Sequence, residues 1–209
     1  MMKKIKIGEG IFILIFKTQK DLTSTFLRFQ EHYESPKFRG QVFTIDEYKK
    51  WYKKVRGRFS YYTDWNGFNI PSKVLNPFYD GKFNPLSVKE KKLLNLFKDE
   101  KGKFYIIGVH LNDGEVYALC HELAHALFYI NKKYRGEMLA LEKKYKFDKI
   151  AESFVKTGGY HKSVFEDEFQ AYAVEHGYKS HKRLLPRKFT KEAKKIFEKY
   201  RKNLKRENS

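Results

Sequence analysis

The spacing of apolar residues changes several times along the chain, and each change marks an element. KIKI and IFILIFK are short apolar runs of the kind that form buried strands. DLTSTFLRFQEHYES places Leu22, Phe26, Leu27 and Phe29 near helical spacing and predicts a helix with Asp21 as its N-cap. GQVF reads as a strand running into TIDEYKKWYKK. There Thr44 and Glu47 have the spacing at which a hydroxyl and a carboxylate satisfy the orphan donors of a helix start, and Ser87 and Glu90 repeat it in SVKEKKLLNLFKDE. Between these helices, RFSYYTDWNGFNIPSKVLNPFYDGKFNP is rich in aromatics, Gly, Asn and Pro, which predicts one short strand among long loops.

GKFYIIGVHL, residues 102–111, is the most strand-like run, and NDGE is a turn from it into an apolar helix. Further helices are expected over YRGEMLALEKKY and over SVFEDEFQAYAVEHG, the latter closed by Gly177, with KTGGYHK a turn before it. From Thr190 onward Ala193, Ile196, Phe197, Tyr200 and Leu204 form one stripe while Lys and Arg cover the rest, the pattern of a basic helix packed on the domain. Early strands and later helices predict an α+β architecture. The expected layout is one domain over residues 1–209, with an N-terminal α+β lobe (1–100), a catalytic core (101–185) and a basic C-terminal helix (186–209).

Composition narrows the class. A chain of 209 residues that is 41% hydrophobic can bury a core. Its single cysteine, Cys120, excludes an internal disulfide framework and fits a reducing, cytoplasmic setting. The apolar run near the N-terminus is far shorter than the roughly 20 residues that span a bilayer, so no membrane span is expected. A net charge of +19 would draw the surface to nucleic acid, anionic lipid or acidic proteins. Against that, the lysines are spread over most of the chain, and no stretch has the spacing of a nucleic-acid module.

ALCHELAHALFY, residues 118–129, carries the chemistry. Positions i and i+4 lie on one helical face, so His121 and His125 can turn their imidazoles toward one ion. Glu122 is angled off that axis, within reach of a water at the metal, where a general base for hydrolysis belongs. Seven histidines and 17 glutamates shuffled through the chain would give about 0.02 such patterns, so the match is informative. Unpaired, these polar groups would be costly among Leu119, Leu123, Ala124, Ala126, Leu127 and Phe128. Cys120 points about 100° away from His121 and is expected to be a buried, inert thiol. His110 is expected as a satisfied histidine and not a ligand.

Glu166, Asp167, Glu168, His161 and His176 are the candidates for a third ligand. Glu168 shares one helical face with Ala171, Tyr172 and Glu175, and Ala171 would let two helices approach closely, which favours Glu168. Tyr160, His161 and Tyr172 are the nearest candidates to stabilise a developing oxyanion. HELAH at 121–125 together with EFQA at 168–171 resembles the gluzincin group of zinc metallopeptidases, over roughly residues 101–177.

The resemblance implies a zincin-like fold with a small mixed sheet, and a zinc ion held by His121, His125 and Glu168. It further implies peptide-bond hydrolysis by a water that Glu122 activates at the metal, and a peptide or protein substrate added as a strand along FYIIGVHL. Thermolysin-like members place an aspartate four residues after the ligand glutamate to orient the first histidine; Tyr172 stands there in this chain, which leaves Asp167 or Glu175 for that role. The competing reading is a basic nucleic-acid-binding protein with a structural or vestigial metal site. A closed structural site would need a fourth protein ligand.

Overall fold

Capping chemistry and alternating burial set out the elements of the first hundred residues. The computed structural model describes residues 2–110, 115–157, 160–175 and 181–204. Most of the NDGE turn, the two glycines of KTGGYHK, His176 and Gly177 lie outside the described residues. Strands β1 (Lys3–Lys6) and β2 (Ile11–Phe16) come first, then helices α1 (Gln19–Glu34), α2 (Ile45–Arg56) and the short α3 (Tyr61–Asp64). Strand β3 (Gly67–Pro71) leads through a 3-10 turn to α4 (Asn76–Tyr79), and α5 (Val88–Phe97) precedes β4 (Tyr105–His110). The rest is helical: α6 (Glu115–Ile130), α7 (Lys132–Glu142), α8 (Asp148–Thr157), α9 (Phe165–Val174) and α10 (Arg187–Arg201).

Both expected capping boxes form, Thr44 with Glu47 on α2 and Ser87 with Glu90 on α5. The cap of α1 is Thr18, not Asp21. The Asp21 N–H donates to Thr18 Oγ1, and its carboxylate accepts from the same hydroxyl. GQVF is not a strand. The chain there wraps the end of α1, with Gly40 N–H donating to His32 O and Gln41 N–H to Phe38 O, and Phe43 packs among Phe38, Tyr48 and Phe83. Helix α8 was not expected.

The four strands form one mixed sheet in the order β1-β2-β4-β3, with β2 and β4 parallel and the outer pairings antiparallel. The architecture is α+β. β4 therefore lies inside the sheet with both edges paired, which overturns the expectation that FYIIGVHL offers an edge to substrate. Its unbroken apolar run reflects burial on both faces. Tyr105, Ile107 and Val109 face one core with α6, α7, α9 and α10, while Ile106 faces a second core with α1 and Phe68 and Ile70 of β3. At Gly108 a Cβ would lie 2.5 Å from the Phe26 ring, so the absent side chain is what lets α1 seat on the sheet. Phe26 is wholly buried there and stacks on Phe68 at 5.5 Å, a burial that stabilises the fold by about 2–3 kcal/mol.

The edge beside α6 is β3, from the segment read as short strand and loops. Part of that edge is already occupied, since Asn69 N–H donates to Gln30 Oε1 of α1 at 3.3 Å. The C-terminal helix forms as expected, with Phe189, Ala193, Phe197 and Tyr200 buried against α7 and α9. No helix among the described residues is long and apolar enough to cross a membrane.

Candidate metal centre

Helix α6 is seated by Leu123, Ala124, Ala126 and Leu127, all buried, and this seating turns His121, Glu122 and His125 toward α9 and β3. Wholly buried Ala171 and Ala173 on α9 leave room for the two helices to approach. The approach carries Glu168, 3% exposed, to the imidazole pair. His121 Nε2 and His125 Nε2 are 3.1 Å apart, and Glu168 oxygens lie 3.7 Å from the first and 3.6 Å from the second. These three donors could hold a metal ion, and among the described residues no fourth His, Cys, Asp or Glu joins them.

The donors fit a cation better than they fit one another. Glu168 Oε2 is buried without a hydrogen-bond partner, and burial drives the Glu168 carboxyl well above the usual carboxylate range even though His125 opposes that shift. Burial by itself would lower the His125 imidazole, but Asp167 and Glu168 beside it raise it to about 10. A bound cation would replace that proton and satisfy the orphaned oxygen.

Asp167 orients one ligand. Its Oδ1 accepts from His125 Nδ1 at 2.8 Å and from Gln170 Nε2 at 2.9 Å, and Gln170 Oε1 in turn accepts from Tyr134 at 2.6 Å. The chain fixes the proton on Nδ1 and leaves the Nε2 lone pair for coordination. Of the two carboxylates the sequence offers for orienting His121, Asp167 and Glu175, Asp167 turns to His125 instead.

Glu122 lies on the β3 side of the donors and is 7% exposed. Burial raises its carboxyl, against the lowering influence of His125 and of the Asn69 amide. Asn69 Nδ2 donates to Glu122 Oε2, and Tyr105 Oη donates to Asn69 Oδ1. Beneath the carboxylate is Gly67, where a Cβ would come within 2.6 Å of Glu122 Oε1. Asn69, Tyr105 and Gly67 were not expected in the site. The only signal for them is an amide on the α6-facing side of a strand buried on both faces.

The oxyanion candidates divide. Tyr172 packs its ring against His121 at 4.8 Å, and Tyr160 Oη lies 2.8 Å from Tyr172 Oη, with Tyr160 lining the cavity over the donors. Burial pushes both hydroxyls up, so both stay protonated and able to donate. His161 is a correction. It is exposed, caps the 3-10 turn before α9 through Ser163, and is not brought to the donors. Glu166 also lies outside the donor group. His110 is buried 3.5 Å from Asn66 Oδ1 and Cys120 is buried in the core; neither belongs to the centre.

A cavity of about 160 Å³ opens from these groups, walled by α1, α2 and the start of β3 as well as by His121, Glu122, His125, Tyr160 and Glu168. No protein-family model, curated protein or solved structure matches this chain, so its function has to be read from the chemistry of this centre.

Proposed function

We propose that the chain is a zinc-dependent metallopeptidase of the gluzincin kind, with a zincin-like arrangement of sheet, donor helix α6 and glutamate helix α9. The observation that carries this reading is a group of three donors, with no fourth His, Cys, Asp or Glu among the described residues, set beside a buried carboxylate and facing a cavity. A tetrahedral zinc with bonds of 2.0–2.1 Å separates its ligands by about 3.3 Å; the two imidazole nitrogens stand 3.1 Å apart and one ligand atom from each of the three residues falls within 4.8 Å of the others, so the Glu168 carboxylate closes in by a small side-chain shift when an ion binds. His121, His125 and Glu168 would hold the ion, and the lack of a fourth protein ligand among the described residues favours catalysis over a structural site. Zinc supplies Lewis acidity there, lowering the pKa of water and polarising a carbonyl.

The chain's own groups supply the rest. Glu122 takes the proton of the attacking water and passes it to the leaving amine, a role helped by the raised proton affinity that burial gives its carboxyl. Asn69 holds Glu122 Oε2 and so fixes the orientation of the carboxylate. Tyr160 and Tyr172 are donors available to a developing oxyanion from the α9 side. The test is Glu122→Gln beside the native chain in a peptide-library cleavage assay with metal analysis. Zinc retained with cleavage abolished is the expected result; equal cleavage by both proteins removes Glu122 from its role.

A further inference from the structure

The wall of the cavity opposite α6 carries two carboxyl groups, Glu31 and Glu34, against one cation, Arg56, in a chain whose net charge is +19. Glu31 and Glu34 stand one helical turn apart on α1, turned away from buried Leu22, Phe26 and Phe29, and both line the same cavity as the metal donors. Burial, more than their mutual repulsion, raises both carboxyls to about 7. Neither carboxylate has a Lys or Arg in ion-pair contact among the described residues, and no cation figures among the influences on Glu31. Glu34 is nearer the metal end, where it feels His125 and Glu122, and it accepts from Gln30 Nε2. Glu31 sits among Ser35, Tyr48 and Tyr61.

A second observation concerns the neutral groups beside the acids. Tyr61 Oη and Ser35 Oγ, on residues 1% and 3% exposed, line this cavity without a hydrogen-bond partner. They are close enough to favour the ionised form of Glu31, yet do not meet it at hydrogen-bonding geometry. Buried hydroxyls left in this way are costly unless something polar enters. About 160 Å³ is room for a side-chain-sized group and not merely one water. Trp51, Tyr52 and Trp65 also line it, surfaces suited to an alkyl stem and to cation–π contact. A second metal ion is disfavoured, because among the described residues His121, His125 and Glu168 form the only group of three or more such donors.

Resting on the metallopeptidase reading, we infer that this wall recognises a cationic group of the substrate, an ammonium or guanidinium from a Lys or Arg side chain or from a free amino terminus. Glu31 and Glu34 are its charge partners, and the Ser35 and Tyr61 hydroxyls are neutral acceptors. The ligand neutralises two like charges and occupies two orphaned hydroxyls together.

The test uses the full zinc-loaded chain and its E31Q/E34Q variant, a near-isosteric change that relieves repulsion and leaves folding intact. Four matched peptides are compared, with lysine or norleucine and with a free or acetylated amino terminus. The native chain should prefer cationic over neutral peptides at least tenfold in kcat/KM, and the variant should lose that preference. Whether it follows the lysine or the free terminus identifies the source of the cation. A binding readout is independent of cleavage: n-butylammonium and n-butylguanidinium should raise the Tm of the native chain and not that of the variant. Such a shift without any peptide cleavage supports the subsite and counts against the peptidase reading. Equal Tm shifts, or equal cleavage preference, in the two proteins overturn the subsite.

Discussion

Asp167 makes the most quantitative case for a metal site, because it touches one ligand and no other donor of the group. Its Oδ1 accepts from His125 Nδ1 at 2.8 Å and shares that oxygen with Gln170 Nε2. Asp167→Asn keeps an acceptor of the same shape and removes the charge. A hydrogen bond to a charged group contributes about 1.5–3 kcal/mol and a neutral one about 0.5–1.5, so the substitution costs roughly 1–1.5 kcal/mol of ligand orientation, or about tenfold in zinc affinity. Asp167→Ala removes the acceptor as well and frees the imidazole to take the other tautomer. Its cost should approach the upper end of the usual range for such partners, about a hundredfold. Competition against a chromophoric zinc chelator, at fixed pH, measures both. The order native, Asn, Ala in rising Kd is the expected result, and the metal-free proteins should lose thermal stability in the same order, because Asp167 is the leading charge partner of the buried His125 imidazole. Equal affinities in all three proteins would refute the idea that this bond prepares His125 for a metal.

Other outcomes follow from the same geometry. Gly67→Ala puts a methyl against the far end of the Glu122 side chain, which can shift, so stability should change by less than about 1 kcal/mol while kcat falls at least tenfold with zinc affinity retained. A chain with unaltered kcat would show that the position of Glu122 is immaterial. Glu142 is buried with Oε1 unpartnered, and burial, then Glu166 and Asp167, push its carboxyl up to about 9. The folded state holds this proton more tightly than the unfolded one, so the group's contribution to stability is present below about 4.5 and is lost as pH rises toward 9. Glu142→Gln should therefore be stabilising at pH 8, on the order of 3 kcal/mol, with the advantage shrinking toward zero near pH 4.5; a pH-independent difference in denaturant midpoint would contradict this.

What could be seen in the sequence was local. The spacing of His121 and His125 and the capping boxes of α2 and α5 are rules of a single helix, and they need no knowledge of the fold. Glu168 was also legible, because Ala171 on its own face announced a close helix approach. The rest depends on which distant segments meet. Asn69 reaches Glu122 across 53 residues, and no spacing rule connects them. The wall bearing Glu31 and Glu34 comes from a helix chosen for its apolar residues, whose outward face reads as ordinary solvated charge until α6 closes opposite it. The edge position that the resemblance implies for β4 fails for a related reason. The unbroken apolar run of β4 announces two buried faces but not its neighbours, and the edge fell instead to β3, inside a stretch whose Gly, Asn and Pro content suggested loops. Asp167 was seen as an orienting carboxylate, but its choice of His125 is set by how α9 crosses α6.

The most direct measurement is anomalous diffraction at the zinc edge from crystals of the native chain grown with zinc. The account predicts one strong peak at roughly 2.0–2.2 Å from His121 Nε2, His125 Nε2 and a Glu168 oxygen, with the remaining coordination place facing the cavity and no protein atom in it. A peak absent from this position, or one closed by a fourth side chain, would contradict the account.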